Sequence, residues 1–335
     1  MDNNKKFDEG IENVRNAEKN LKTSFLKWKP DYETAAEDYS KAAICFKSVK
    51  SYSQCRDAFI KAANCYKQTK SLFQAAKCLE QVIFISKEMN DFKEIAVLAE
   101  EACSLYQHHG SADTAALLLE KAGNILLDSS SVDALRLFQH AADVALMQDN
   151  IKQAADFISK SARILVKLQH YDEAVFALRR EIGLLQQIDN IAPIGRLAVI
   201  IVLLHLARRD YVAAEKAFKE WGNYCEQTEV QTLESLLQAY DEEDGEGVKA
   251  ALESPFIKHM DVEYSRLARD LPIPKGITTI PPPASIRHNA APSYISPNAN
   301  NILSNDQEID ENLVSNNKNV EKKNDTDDEY EGGLC

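Results

Sequence analysis

Glycine is scarce in this chain, 11 of 335 residues, and no run alternates Val, Ile or Thr with polar residues. The usual marks of sheets and tight hairpins are therefore missing, and an all-α fold is expected. Long apolar runs are missing too. The most apolar stretch, residues 197–206, is bracketed by Arg196 and Arg208 and is far shorter than the ~20 residues that cross a bilayer, so it reads as a helix buried on all sides. The opening Met1-Asp2-Asn3-Asn4-Lys5-Lys6 leads straight into amphipathic sequence without a secretory leader, which points to a cytoplasmic protein whose membrane contact is peripheral.

A basic excess is also lacking. The formal charge is −13, and the last 61 residues, with 10 acidic against 5 basic, carry −5 of it, leaving −8 on the body. A nucleic-acid partner is excluded on that footing, whereas a partner with basic patches is favoured. Seven cysteines occur without a C-x-x-C pair; Cys55 and Cys103 stand where small residues stand elsewhere, so they read as core residues of a reducing compartment. There is no glycine-rich phosphate loop, no G-x-S-x-G elbow and no His/Cys cluster at metal spacing; His108 and His109 are adjacent and leave a helix end on different sides. The expectation is a binding protein and not an enzyme, with no cofactor and no metal.

What is present is a period. A polar residue followed by an apolar one recurs about every twenty residues, at Asp31, Ser51, Ser71, Asp91, Ser111, Ser131, Asn150, His170, Asn190 and Asp210, with one step of 19 between Ser131 and Asn150. All but His170 are Ser, Asp or Asn, which cap helices through their side-chain oxygens. Small residues follow at offsets of 4–5 (Ala35/Ala36, Ala75/Ala76, Ala115/Ala116, Ala154/Ala155) and 11–12 (Ala42/Ala43, Ala62/Ala63, Ala122/Gly123, Ala162). A bulky residue falls at offset 15, at Phe46, Tyr66, Tyr106, Leu126, Leu146, Leu165 and Leu185. Offsets 4, 11 and 15 lie on one face of a 3.6-residue helix, so each unit is one helix with a seam that lets its neighbours approach closely.

A helix with one apolar stripe cannot bury it alone, so these units must stack as antiparallel hairpins of about forty residues. The result is a superhelical twisted sheet of helices, a TPR-like α-solenoid, over residues 1–190. Pro193, Gly195 and the apolar residues 197–206 then break the alanine pattern, and a compact C-terminal helical bundle is expected over 191–271. From Pro272 the chain turns Pro-rich and then Asn/Asp/Lys/Ser-rich, a composition that cannot bury enough surface to fold, and ends as a flexible acidic tail over 272–335.

Two stretches invite a functional reading. Phe25, Leu26 and Trp28 lie among Lys22, Lys27 and Lys29 in the connector after the first helix; aromatic rings beside lysines suit the lipid headgroup boundary, and they also suit the closing of a hairpin end. Asp241, Glu242, Glu243 and Asp244 follow the helix ending at Tyr240, where successive carboxylates oppose the helix dipole and mark either a charged docking patch or an ordinary solvated end.

These features together resemble the soluble NSF attachment protein family. The helical period, the connector Phe25-Leu26-Lys27-Trp28-Lys29-Pro30-Asp31-Tyr32, the acidic segment after Leu236-Leu237-Gln238-Ala239-Tyr240, the stretch Asp210-Tyr211-Val212-Ala213-Ala214-Glu215 and the ending Glu329-Tyr330-Glu331-Gly332-Gly333-Leu334-Cys335 carry the likeness, most closely to the gamma branch. The resemblance implies an adaptor that binds SNARE complexes, syntaxin among them, and recruits the NSF-type hexameric ATPase for SNARE disassembly in ER–Golgi and endosomal or vacuolar transport. It implies that Phe25, Leu26 and Trp28, flanked by Lys27 and Lys29, contact membrane, that Asp241, Glu242 and Glu243 face the ATPase, and that Leu334 stimulates it. Lys160 keeps a SNARE-facing charge, whereas Gln238, Leu117 and Asp156 depart from the family's charged positions. The competing expectation is a groove scaffold for a peptide or helix of a trafficking or cytoskeletal partner, with no part in disassembly.

Overall fold

The computed structural model describes residues 2–23 and 28–274. Among them every regular element is helical. The array runs α1 (Asp2–Leu21), α2 (Tyr32–Ser48), α3 (Tyr52–Gln68), α4 (Leu72–Glu88), α5 (Ile95–His109), α6 (Ala112–Leu126), α7 (Ser131–Met147), α8 (Ile151–Lys167) and α9 (Tyr171–Gln187). It continues through α10 (Ile194–Ala207), α11 (Tyr211–Trp221), α12 (Gln227–Asp241), α13 (Gly245–Leu252), α14 (Pro255–Lys258) and α15 (Val262–Arg269). From α1 to α10 each helix packs on the next, the all-α solenoid of antiparallel hairpins that the period requires. Of the expected flexible tail, 272–274 are described and lie against α12, and the rest lies outside the described residues.

The turns explain the period. In eight of them a non-glycine residue adopts the left-handed conformation, φ 52–62°, at Lys50, Lys70, Asn90, Asp149, Gln169, Asp189, Arg209 and Glu243, and Gly110 takes the same place at φ 88°. The next residue's N–H then reaches back to the sixth-last carbonyl, as in Ser51 N to Phe46 O at 2.9 Å, Ser111 N to Tyr106 O at 2.8 Å and Asp210 N to His205 O at 2.9 Å. These paired bonds satisfy carbonyls that a helix end leaves orphaned, and they turn the chain back on itself. In the repeats the acceptor is the offset-15 residue, which is why that slot is an anchor: Phe46, Tyr106, Leu126, Leu165 and Leu185 are buried there, so are Ser86 and His205, and Tyr66 is half-buried.

Three expectations need correction. The capping residue of α7 is Ser130, whose hydroxyl accepts from Asp133 N at 3.4 Å, so the short step falls between Ser111 and Ser130; its offset-15 anchor is buried Ala145, and Leu146 is only partly covered. Among the turns from α2 to α11 this one has no left-handed residue, and its cap-to-cap step is one residue shorter. Asp91 and Asn190 do not cap. Asp91 is drawn to Arg56 Nη1 at 2.8 Å and α5 starts only at Ile95. After Asn190, Pro193 disfavours helix in the residue before it, so α10 starts at Ile194. Side-chain capping is made by Asp31, Asn150 and Asp210, whereas Ser51, Ser71, Ser111 and His170 make no such bond.

The seam is as expected: Ala35, Ala36, Ala42, Ala43, Ala62, Ala63, Ala115, Ala122, Ala154 and Ala162 are all 0 % exposed. Cys55 and Cys103 share it, and burial pushes both thiols up to about 11, which keeps them protonated and inert. Next-but-one helices are stapled side by side by ion pairs such as Lys121–Glu80 at 3.1 Å, Arg136–Glu100 at 3.3 Å and Arg180–Asp143 at 3.1 Å, each worth roughly 0.2–1 kcal/mol at these exposures.

Helix α10 is buried along almost its whole length, as its all-round apolar sequence requires. Its Gly195 permits the close approach of the turn that follows α11: a Cβ there would stand 2.4 Å from Tyr224 O. The chain then folds back, and α15 packs against both α8 and α10.

Candidate functional site

Helix α12 buries Leu233, Leu236, Ala239 and Tyr240 and leaves Gln238 and Asp241 outward. It ends on Asp241 with Glu242 as the residue after it; Glu243 takes the left-handed turn, and Asp244 N donates to Ala239 O at 2.8 Å. Asp244 then caps α13, accepting from Glu246 N at 3.1 Å, so its charge meets the favourable end of a helix dipole. Asp241, Glu242 and Glu243 project into solvent from the unfavourable end of α12. Gln238 donates its amide to Glu242 Oε1 at 2.8 Å, fixing that carboxylate on the helix surface.

A cleft of about 500 Å³ opens beside this turn, lined by Tyr211, Val212 and Glu215 of α11 with Leu237, Tyr240, Asp241, Glu243 and Pro274. Its charged lining is acidic throughout. The Tyr211 and Tyr240 rings lie 5.3 Å apart, Val212 is 80 % exposed, and the Tyr240 hydroxyl donates to Pro272 O at 2.9 Å. Burial, and then the Tyr211 phenol beside it, push the Tyr240 phenol up. Such a surface takes a basic side chain with apolar atoms around it. The α11 half of the cleft was not read from the sequence, although Val212, at offset 2 and off the apolar stripe, was the available signal.

In the connector between α1 and α2, Trp28 is 85 % exposed and Lys29 is exposed, while Phe25, Leu26 and Lys27 lie outside the described residues. Leu334 also lies outside them. Lys160 is half-buried: its ammonium pairs with Glu120 and sits 5.6 and 5.8 Å from the centres of the Phe138 and Phe157 rings, so its charge is already engaged within the fold. Leu117 and Asp156 are exposed. The structure therefore keeps the acidic turn, the connector and Lys160 as three separate places. Among the described residues there is no group of three His, Cys, Asp or Glu that could hold a metal ion, and no helix is long and apolar enough to cross a membrane.

A Dictyostelium discoideum gamma-soluble NSF attachment protein is 25% identical over 278 residues, covering 82% of this chain and 86% of that protein. Among solved structures, an aspartyl phosphate phosphatase F from Bacillus subtilis aligns at TM-score 0.30 and 16% identity, covering 74% of this chain and 58% of that one. A circular tandem repeat protein aligns at TM-score 0.30 and 13% identity, over 77% of this chain and 74% of that one. The model of the family described as soluble NSF attachment protein, SNAP, matches residues 8–254, from α1 through the acidic turn and α13. This chain belongs to the soluble NSF attachment protein family.

Proposed function

We propose that this protein is a non-catalytic adaptor of the gamma branch, which binds SNARE complexes, syntaxins included, and attaches the NSF-type hexameric ATPase that disassembles them in vesicle-mediated transport between ER and Golgi and at endosomal or vacuolar membranes. The observation that carries the reading is the exposed turn Asp241-Glu242-Glu243 beside the acidic, tyrosine-lined cleft of α11 and α12. A basic patch on the ATPase complements this surface. The 25 % identical gamma relative and the connector sequence support the branch assignment. In this reading the repeats over 1–190 present the SNARE-binding face, the bundle over 191–271 presents the ATPase, and the tail over 272–335 carries Leu334 to it. The protein works in the cytoplasm and meets membranes peripherally through Phe25, Leu26, Lys27, Trp28 and Lys29. Lys160, paired with Glu120, serves SNARE binding by setting the α6–α8 surface and not as a free cation.

Exposed complementary charges act mainly on association rate and are screened over about 8 Å at physiological ionic strength. Binding of the purified ATPase should therefore weaken as salt is raised. Asp241→Lys with Glu242→Lys should weaken it by about tenfold or more, because the pair changes sign at the centre of the patch. SNARE binding should persist. Normal ATPase binding by the charge-reversed protein, with disassembly intact, would return the groove scaffold as the better reading.

A further inference from the structure

At offset 11 the ten repeat helices carry Ala42, Ala62, Val82, Ala102, Ala122, Ala141, Ser161, Glu181, Ile201 and Trp221. Five of these are alanine, the others Val82, Ser161, Ile201 and Trp221 are uncharged as well, and Glu181 on α9 is the one ionisable residue in the slot. It is 6 % exposed, and its Oε2 has no hydrogen-bond partner among the described residues. A buried carboxyl costs several kcal/mol unless it is paired, so its place in a seam slot needs a reason.

Glu181 lines a cleft of about 420 Å³ where α8, α9 and α10 meet the returning chain of α12 and α15. Tyr264 of α15 lines the same cleft; it is 4 % exposed and its hydroxyl is also unpartnered. The other charges are already placed. Ser159 hydrogen-bonds to the Glu181 carboxyl and the Arg163 charge on α8 acts on it, although Arg163 pairs with Asp261 at 3.4 Å and leaves its buried Nε without a partner among the described residues; Glu229 Oε2 accepts from Glu226 N at 2.9 Å at the start of α12, and Glu226, His259 and Asp261 also line the cleft. Arg196 on α10 stands exposed at the rim, and Asp156 on α8 and Glu263 on α15 add negative field. The lining is therefore net acidic, and it includes two residues, Glu181 and Tyr264, that each keep a buried oxygen without a hydrogen-bond partner among the described residues, beside room for a small organic group.

We propose that this cleft is a binding site for a cationic nitrogen group, an ammonium or guanidinium, which ion-pairs with Glu181 and donates to the Tyr264 hydroxyl. The site joins the repeats to the returning C-terminal helices and is distinct from the acidic turn of α12. In the unliganded protein burial is the main cause that pushes the Glu181 carboxyl up, to about 8, so it holds its proton at neutral pH. The cation replaces that proton, which passes to the buffer, and binding at pH 7 releases close to one proton per ligand. The same chemistry comes from a free amine or from an Arg or Lys side chain of a partner polypeptide.

Calorimetric titration of the full chain at pH 7 with methylguanidinium, and separately with an acetylated Gly-Arg-Gly amide, decides the point. Binding of either probe, with a heat that differs between phosphate and Tris buffers because a proton is released, is the expected result; the peptide alone would identify a partner's side chain, the small cation alone a free amine. Glu181→Gln, a neutral isostere of the protonated acid that keeps the fold, and Tyr264→Phe, which removes only the hydroxyl, should each weaken binding by about tenfold or more. No binding of either probe to the folded protein, affinity unchanged in Glu181→Gln, or a heat independent of buffer would each overturn the proposal.

Discussion

Replacing Glu181 by glutamine turns the seam's one buried acid into a measurable pH dependence. The carboxyl moves from the ordinary 4.5 in the unfolded chain to about 8 in the fold, with burial as the leading cause, a Ser159 hydrogen bond and the Arg163 charge opposing it and Asp156 adding to it. Because the folded value is the higher one, the folded state binds more protons between these two values than the unfolded state does. Stability from this group is fully present below pH 4.5, falls as pH rises through the window and stays lost above pH 8. At about 1.4 kcal/mol per pH unit the window corresponds to roughly 5 kcal/mol, a sum comparable with the net stability of a domain. Glutamine cannot ionise. The stability difference between the two proteins should therefore be small near pH 5 and shift in glutamine's favour by about 1.4 kcal/mol per unit between pH 5.5 and 7.5. Urea unfolding of both proteins at pH 5.5, 6.5, 7.5 and 8.5 measures it, and comparison cancels every other titrating group, including His205, which burial and the Arg208 charge hold below the ordinary histidine value. A difference that does not change with pH would mean that Glu181 is solvated in the folded protein, and the argument from the seam would fail.

The left-handed turns and the connector make two further predictions. Lys70→Gly should raise stability by up to about 1 kcal/mol, since Lys70 holds φ 59° with a Cβ that glycine lacks, whereas Gly110→Ala, at φ 88° with open space around it, should lower stability by a similar amount; equal and small effects in thermal unfolding would refute the turn assignment. Replacing Phe25, Leu26 and Trp28 together by serine should reduce sedimentation with anionic liposomes while leaving the melting temperature nearly unchanged. A large loss of stability with unchanged liposome binding would place these residues in the fold and not at a membrane.

Much of this molecule was legible because it is local. Cap, seam and anchor recur within single helices, and a stripe of alanines at offsets 4 and 11 dictates close helix stacking without reference to any distant residue. The left-handed turn residues were not legible: Lys50, Lys70, Gln169 and Arg209 carry no turn signature, and only the antiparallel packing of the helices on either side holds them at positive φ. The slip at Ser130 escaped for a related reason, since Ser129, Ser130 and Ser131 are equivalent caps in one dimension and the packing of α6 on α7 selects among them. The acidic turn could be read from four adjacent letters, but its cleft could not, because Tyr211 and Tyr240 meet across two helices. Glu181 shows the division most plainly. Its departure from the offset-11 pattern is in the sequence, yet its burial comes from Tyr264 and α15, about eighty residues later, and only tertiary packing turns an odd letter into a titratable site.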